Sequence, residues 1–187
     1  MSWKAIDRNK PLAPATELDE AVSGKISALF PRYETRRAVL LPALHIVQDA
    51  YGHVPPGLIG SLARLLELAP AEVMDTISFY THFFTEPKGE HVITLCRSLT
   101  CQLMGSDQLE AAVRACTGCQ EHGPNISPDG RYSVLVEECI AACEGAPCMI
   151  VGERLYKNVK PEEVAGILSD PKAAEVDVPR VTEFCKP

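Results

Sequence analysis

The stretch HVITLCRSLTC, residues 91–101, has the pattern of a strand followed by a pair of cysteines. Its first six residues are mostly β-branched or apolar, which predicts a strand that ends at Cys96. A second stretch, YSVLVEECIAAC at residues 132–143, repeats the arrangement, with an alternating strand over 132–136 before Cys139 and Cys143. A pair of cysteines therefore lies at or just beyond the end of each predicted strand.

The sequence around these two strands predicts a small α/β sandwich. The further predicted elements are, in chain order, a helix over 103–115, a polar loop over 117–130, strands over 149–151 and 155–156 joined at Gly152 as a hairpin, and a helix that opens at Pro161. The order strand, helix, strand, strand, strand, helix places helices against one sheet.

The N-terminal half is predicted to form four helices, because apolar residues recur there at helical spacing. The first begins with a capping-box pattern, Thr16-x-x-Asp19. The second contains Pro42, which a helix tolerates in its first turn or at a kink, and ends at Gly52. Pro70 is expected as the first residue of the fourth.

The 187 residues, 46% of them hydrophobic, are enough to bury a real core. We expect the α+β class: an N-terminal helical bundle followed by the sandwich domain. The expected domains are a flexible arm over 1–15, the helical bundle over 16–85, the sandwich over 86–170 and a tail over 171–187.

The charge balance argues against two classes of partner. With 18 Lys+Arg and 25 Asp+Glu the net charge is −7, so the chain lacks the basic surface that nucleic acid or an anionic membrane attracts. The N-terminus has no apolar signal region, and the longest apolar run, Ala38 to Val47, is too short to span a bilayer. We therefore expect a cytoplasmic protein without direct membrane insertion.

Eight cysteines in such a chain indicate metal ligands or redox groups rather than disulfides. Cys96 and Cys101 form C-x4-C, and Cys139 and Cys143 form C-x3-C. Two loops at one edge of a sheet can bring these four thiolates together, and four thiolates suit an iron–sulfur cluster or tetrahedral Zn²⁺. The loops lack the glycine-containing turn expected around zinc, which favours iron–sulfur; a structural zinc protein with a site of four cysteines remains the alternative.

The other four cysteines are weaker candidates for redox groups or metal ligands. Cys116-x-x-Cys119 would suit a thiol–disulfide enzyme, but Cys116 closes a helix, where the dipole disfavours a thiolate. We therefore interpret the pair as structural or incidental rather than catalytic or metal-binding. Cys148, after Pro147, is expected to be a buried apolar residue or a neighbour of the cluster rather than a ligand. Cys185 is expected to be a free thiol in the tail.

With these flanks the chain resembles the thioredoxin-like [2Fe–2S] ferredoxin subunits of NADH dehydrogenases. That family includes the E subunit of bacterial NADH:quinone oxidoreductase (respiratory complex I) and its relatives in NAD-linked hydrogenases and formate dehydrogenases. The resemblance covers roughly residues 17–169. Beyond the first cysteine pair it includes Phe79-Tyr80-Thr81 and Glu138-Cys139-x-x-Ala142-Cys143-x-x-Ala146-Pro147.

The resemblance implies a helical bundle before a thioredoxin-like domain, with one [2Fe–2S] cluster bound by Cys96, Cys101, Cys139 and Cys143. It implies a non-catalytic electron-transfer subunit that exchanges single electrons with the FMN of a partner flavoprotein during NADH oxidation by NADH:quinone oxidoreductase. FMN and NAD(H) are expected on that partner, beside a multi-cluster iron–sulfur subunit. Through the complex, this chain is expected to lie peripherally on the cytoplasmic side of the inner membrane. A soluble hydrogenase or a formate dehydrogenase is the alternative setting.

A cluster held by thiolates alone carries net negative charge, so its reduction potential is expected to be low, about −400 mV as in plant-type ferredoxins. Backbone amides near Gly105 and Gly145 are expected to donate hydrogen bonds to the sulfurs and raise that potential.

Overall fold

The computed structural model describes residues 14–120 and 126–169, and the backbone of 176–177. The chain divides into two compact units between Pro87 and Lys88, here called the helical unit and the sheet unit. Most of the arm predicted over 1–15 and of the tail predicted over 171–187 lies outside the described residues. Among the described residues, no helix is both long enough and apolar enough to cross a bilayer.

The helical unit contains the four predicted helices. They are α1 (Glu20–Ser27), α2 (Leu40–Tyr51), α3 (Ile59–Leu66) and α4 (Pro70–Phe79). Short 3₁₀ turns, Arg36–Val39 and Pro56–Leu58, lead into α2 and α3. One apolar face of each helix contributes to a shared core whose most deeply buried large side chains are Ile26, Leu44, Val47, Leu62, Leu66 and Val73.

The predicted capping box at Thr16 is wrong. Helix α1 begins at Glu20 with Asp19 as its N-cap, and the Thr16 hydroxyl donates to the carbonyl of Pro14. The Asp19 side chain makes no capping bond because its carboxylate accepts the hydroxyl of Tyr51 at 2.8 Å. A contact between two helices has therefore replaced a local one.

The other predicted helix signals are present. Pro42 lies in the first turn of α2, where its missing N–H costs no hydrogen bond, and Gly52 ends that helix with φ +76°. Pro70 opens α4, and the carboxylate of Glu72 accepts the amide of Ala69 at 3.0 Å. The predicted α+β class, with helices preceding a sheet, is confirmed.

The sheet unit contains a mixed sheet in the order β2-β1-β3-β4-β5. Its strands are β1 (His91–Cys96), β2 (Tyr132–Glu137), β3 (Met149–Val151), β4 (Arg154–Tyr156) and β5 (Val176–Asp177). Strands β1 and β2 are parallel, and the other pairs are antiparallel. Strand β5 lies in the segment expected to be an unstructured tail; two residues are too few to give a strand pattern.

Two helices replace the single one predicted over 103–115. They are α5 (Leu99–Leu103) and α6 (Ser106–Thr117), and α7 (Val164–Ser169) follows the hairpin. The break falls at Gly105, whose φ of +100° is open to glycine and strained for other residues. Together α5 and α6 make the crossover that two parallel strands require.

The core of the sheet unit lies between the sheet and helices α6 and α7. Leu109 and Val113 of α6 and Val164 of α7 pack in one buried cluster with Ile93 of β1. Gly89 allows the start of β1 to lie close to β2, because a Cβ at this position would clash with the backbone of Tyr132.

Substitution of Leu44 by alanine should destabilise the helical unit. Leu44 is fully buried, so Leu44→Ala is expected to lower the free energy of unfolding by about 2–5 kcal/mol. On the same helix, Leu41 is 37% exposed, and Leu41→Ala should change it by about 0.5 kcal/mol. Denaturant unfolding followed by circular dichroism measures both; equal losses would contradict the assigned core.

Candidate metal centre

The register of β1 against β2 fixes the position of the two cysteine loops. Cys96, the last residue of β1, lies opposite Glu137, the last residue of β2. Because the strands are parallel, the chain leaves both at the same edge of the sheet. The amide of Arg97 then donates to the carbonyl of Glu137 at 3.0 Å, so the two loops stay together past the strand ends.

Three cysteines form a buried group at this edge. The sulfurs of Cys96, Cys101 and Cys148 all lie within 4.8 Å of one another. Cys101 and Cys148 are fully buried, with their sulfurs 3.7 Å apart. Cys148 immediately precedes β3, the antiparallel neighbour of β1, and its carbonyl accepts the amide of Cys96 at 3.4 Å.

Cys139 and Cys143 lie on the loop after β2 and are exposed. The amide of Ala141 donates to the Cys139 sulfur at 3.3 Å, in a turn where Ala141 has a φ of +58°. The charge of Cys139 is the main cause that raises the pKa of Cys143, and the charge of Cys96 adds to it. The two loops therefore hold their sulfurs near enough to interact electrostatically.

Hydrogen bonds from both loops act on Cys96. Burial opposes its ionisation, but the amides of Ser98 and Ile140 and the Ser98 hydroxyl outweigh burial and hold the pKa of Cys96 below its usual value. Ile140 belongs to the loop after β2, so its amide links that loop to the sulfur at the end of β1. Amides directed at a sulfur favour the thiolate form, which is the form that binds metal.

The two other buried thiols have raised pKa values. Burial is the main cause for Cys101, and Cys96 adds to it, while the amide of Cys148 has the opposite effect. Burial also raises the pKa of Cys148, far above that of an ordinary thiol.

The amides of Gly105 and Gly145 themselves donate to carbonyl oxygens of their own loops. The amide of Gly105 donates to the carbonyl of Gln102, and that of Gly145 to the carbonyl of Ala142. Both bonds close local turns, and the expectation that amides near these glycines donate to the cluster sulfurs stays a prediction. The donors to the Cys96 and Cys139 sulfurs are amides within two residues of a cysteine.

Ion pairs flank the cysteines on the surface. The Arg97 guanidinium contacts the carboxylate of Glu138 and lowers the pKa of Glu138, joining the residue after Cys96 to the residue before Cys139. Lys157 pairs in the same way with Glu144, which follows Cys143. Both pairs are partly exposed, so they orient the loops more than they stabilise them.

The donor set fits an iron–sulfur cluster. Within the described part of the chain, the one group of three or more candidate ligands consists of cysteines. Iron–sulfur clusters are usually bound by thiolates, and these thiolates accept hydrogen bonds from backbone amides. Zn²⁺ accepts four thiolates as well, so donor chemistry alone does not separate the two.

The structure thus places all four predicted ligands at one edge, with Cys96 and Cys101 in the buried group and Cys139 and Cys143 on the exposed loop. Cys148 is buried, as expected, and its sulfur lies close to that of Cys101. This closeness was not evident from the sequence, because it depends on the pairing of β1 with β3.

Cys116 and Cys119 are not bonded to each other. Cys116 is exposed in the last turn of α6, whereas Cys119 is buried and its thiol donates to the carbonyl of Tyr132. This arrangement agrees with a structural role for Cys119. Cys185 lies outside the described residues.

The chain is similar in sequence to known iron–sulfur proteins and to subunits of NAD(P)-linked enzymes. A family model described as thioredoxin-like [2Fe–2S] ferredoxin matches residues 26–172. The chain is 34% identical to an E subunit of the NADH-quinone oxidoreductase of Rhizobium meliloti, over 81% of this chain and 89% of that protein. It is 33% identical to the NADP-reducing hydrogenase subunit HndA of Solidesulfovibrio fructosivorans, over 70% of this chain and 75% of that protein.

A solved structure shares the fold. The H2-reduced NAD+-reducing [NiFe]-hydrogenase aligns with 82% of this chain at a TM-score of 0.60 and 22% identity. The aligned region makes up 25% of the hydrogenase chain, so this likeness concerns one part of that protein.

The burial of the thiols predicts their order of alkylation by iodoacetamide in the reduced, metal-free chain. Exposed cysteines should be modified at least about tenfold faster than fully buried ones, because access limits the reaction. The exposed set is Cys116, Cys139 and Cys143, and the fully buried set is Cys101 and Cys148. Mass spectrometry of peptides measures the rates, and circular dichroism confirms that the chain is folded. Rapid modification of Cys148 in a folded chain would contradict this geometry.

Proposed function

Since the chain belongs to the thioredoxin-like [2Fe–2S] ferredoxin family, we propose that it is a non-catalytic electron-transfer subunit of an NADH dehydrogenase module. The observation that carries the proposal is the convergence of cysteines from the loops after β1 and β2. One [2Fe–2S] cluster is the cofactor of this family, and it supplies a carrier for single electrons.

We propose Cys96, Cys101, Cys139 and Cys143 as the four ligands. A cluster of this kind needs four protein ligands, so the buried group of three does not suffice. Cys139 and Cys143 lie on the loop whose Ile140 amide acts on Cys96, and the Ala141 amide already donates to Cys139. The sulfur of Cys148 lies next to that of Cys101, and Cys148 is the buried cysteine that does not belong to this set.

The burial of the ligand pairs gives the site two unlike sides. Cys96 and Cys101 exclude water on the inner side, whereas Cys139 and Cys143 lie at the surface. We propose that electrons enter and leave on the exposed side, where a partner's redox group can approach most closely.

We propose that the partner is a flavoprotein that carries FMN and oxidises NADH, beside a multi-cluster iron–sulfur subunit. Helix α5 presents Leu99, Leu103 and Met104 to solvent, with exposures of 74%, 78% and 59%, next to Cys101. Apolar side chains this exposed are typical of a docking surface. Docking there would bring the flavin close to the ligand loops.

The helical unit offers a second apolar surface. Phe79 is 77% exposed at the end of α4, and Tyr80 and Met74 are also exposed. Phe79 and Tyr80 line a shallow depression together with Arg37 and Asp75. We propose that this surface contributes to docking in the complex, which would hold the subunit peripheral to the cytoplasmic side of the inner membrane.

NADH:quinone oxidoreductase is the setting we propose first, because the Rhizobium relative is named for that enzyme and covers 81% of this chain. An NAD(P)-linked hydrogenase is the second candidate, favoured by the likeness to the hydrogenase subunit of Solidesulfovibrio. Purification of the chain with its native partners distinguishes them. Membrane subunits beside the flavoprotein support the first setting, and a nickel–iron or iron-only catalytic subunit supports the second.

Replacing a proposed ligand by serine should prevent stable cluster binding. For each of Cys96, Cys101, Cys139 and Cys143, the serine variant is expected to hold less than about half the iron and acid-labile sulfide of the unsubstituted chain, because the fourth thiolate is lost. Cys116→Ser is the control and should retain both. A colourless unsubstituted protein with stoichiometric zinc, and without iron or sulfide, would support the zinc alternative instead.

A charge on α5 should weaken docking. Leu103→Glu is expected to lower the affinity for the flavoprotein subunit by about tenfold or more, because the carboxylate loses water in an apolar contact. The cluster content should stay unchanged. Leu103→Met keeps the surface apolar and should bind normally. Equal affinities of the two variants, measured by surface plasmon resonance, would show that α5 lies outside the interface.

A further inference from the structure

We propose that Cys148 is a positioning residue that donates an S–H hydrogen bond to the sulfur of Cys101 and thereby raises the reduction potential of the cluster. The inference rests on the proposed function, since it concerns the same site. The observation that supports it differs from the one that supports the proposed function. A fifth cysteine, outside the proposed ligand set, has its sulfur 3.7 Å from that of a proposed ligand.

The direction of this hydrogen bond follows from the chemistry of the ligand. At 3.7 Å either thiol is able to donate when both carry a proton. When Cys101 binds iron it is a thiolate, which has no proton and can only accept. Cys148 then holds the single proton between the two sulfurs and is the donor.

The side chains packed around Cys148 are apolar or are those of two proposed ligands, Cys101 and Cys96, and the Cys101 sulfur is the acceptor at 3.7 Å. Cys148 is fully buried in a small apolar cluster with Ala142 and Ala146, beside Cys96 and Cys101. Its backbone is fixed by the carbonyl that accepts the Cys96 amide, one residue before β3. The thiol is therefore held in place by the sheet rather than by a mobile loop.

A hydrogen bond to a ligand sulfur acts on the potential through charge. Reduction adds one electron and makes the thiolate sulfurs more negative, while no bond breaks and the thiol proton stays on Cys148. The S–H dipole stabilises the added charge, and the buried position strengthens its effect. The reduced form gains more than the oxidised form, so the potential rises.

Two substitutions of Cys148 test the inference in the full chain. Cys148→Val fills a similar volume without a donor, and Cys148→Ser keeps a donor. For the valine variant, the ratio of reduced to oxidised cluster at a fixed applied potential should fall by about three- to tenfold. A tenfold fall corresponds to a reduction potential lower by about 59 mV for one electron. The serine variant should keep a ratio at or above that of the unsubstituted chain. Titration monitored by electron paramagnetic resonance measures the ratios.

Cys119→Val is the matched control, because Cys119 is also a buried thiol of the sheet unit but donates to the carbonyl of Tyr132. Its potential should equal that of the unsubstituted chain. An unchanged potential in Cys148→Val, or an equal fall in Cys148→Val and Cys119→Val, would overturn the inference. Loss of iron and sulfide from folded Cys148→Val and Cys148→Ser alike would make Cys148 a ligand and overturn it as well.

A further measurement uses the unsubstituted chain and so does not depend on whether a variant folds. In the reduced-minus-oxidised infrared difference spectrum, one S–H stretching band should move to lower frequency, because the hydrogen bond strengthens on reduction. A spectrum without any shifted S–H band would contradict the inference. A purified chain without iron and sulfide would instead refute the proposed function, so the two failures are distinguishable.

Discussion

Parallel pairing of β1 with β2 determines where the two cysteine loops lie. The register that sets Cys96 opposite Glu137 makes both strands end at one edge, so the C-x4-C and C-x3-C loops emerge side by side. Antiparallel pairing would send the second loop to the opposite end of the sheet. The crossover through α5 and α6 connects the two strands, and Gly89 allows their close approach.

The same edge also explains how the site combines burial with access. Strand β3 lies on the other side of β1 and brings Cys148 behind Cys101, away from solvent. The loop after β2 carries Cys139 and Cys143 at the surface, with amides of its own directed at sulfurs. A redox group placed in this way is shielded from water on one side and open to a partner on the other.

The sequence predicted those features that depend on local pattern. Strand β1 has the predicted bounds, and Pro42, Gly52 and Pro70 mark helix positions as expected, because each restricts its own backbone. Features that depend on distant contacts were missed. The Asp19–Tyr51 hydrogen bond replaced the capping box, and the closeness of Cys148 to Cys101 required the β1–β3 pairing. Helix α5 has five residues, too few for a helical period to be recognised beside α6.

A crystal structure of the purified chain, with diffraction data collected at the iron absorption edge, would identify the ligands. Anomalous scattering locates each iron atom, and the electron density shows which sulfurs bind it. We expect two neighbouring iron atoms bound by the sulfurs of Cys96, Cys101, Cys139 and Cys143, with the Cys148 sulfur close by but unbound. A single metal ion, or Cys148 in the place of any of these four ligands, would contradict this expectation.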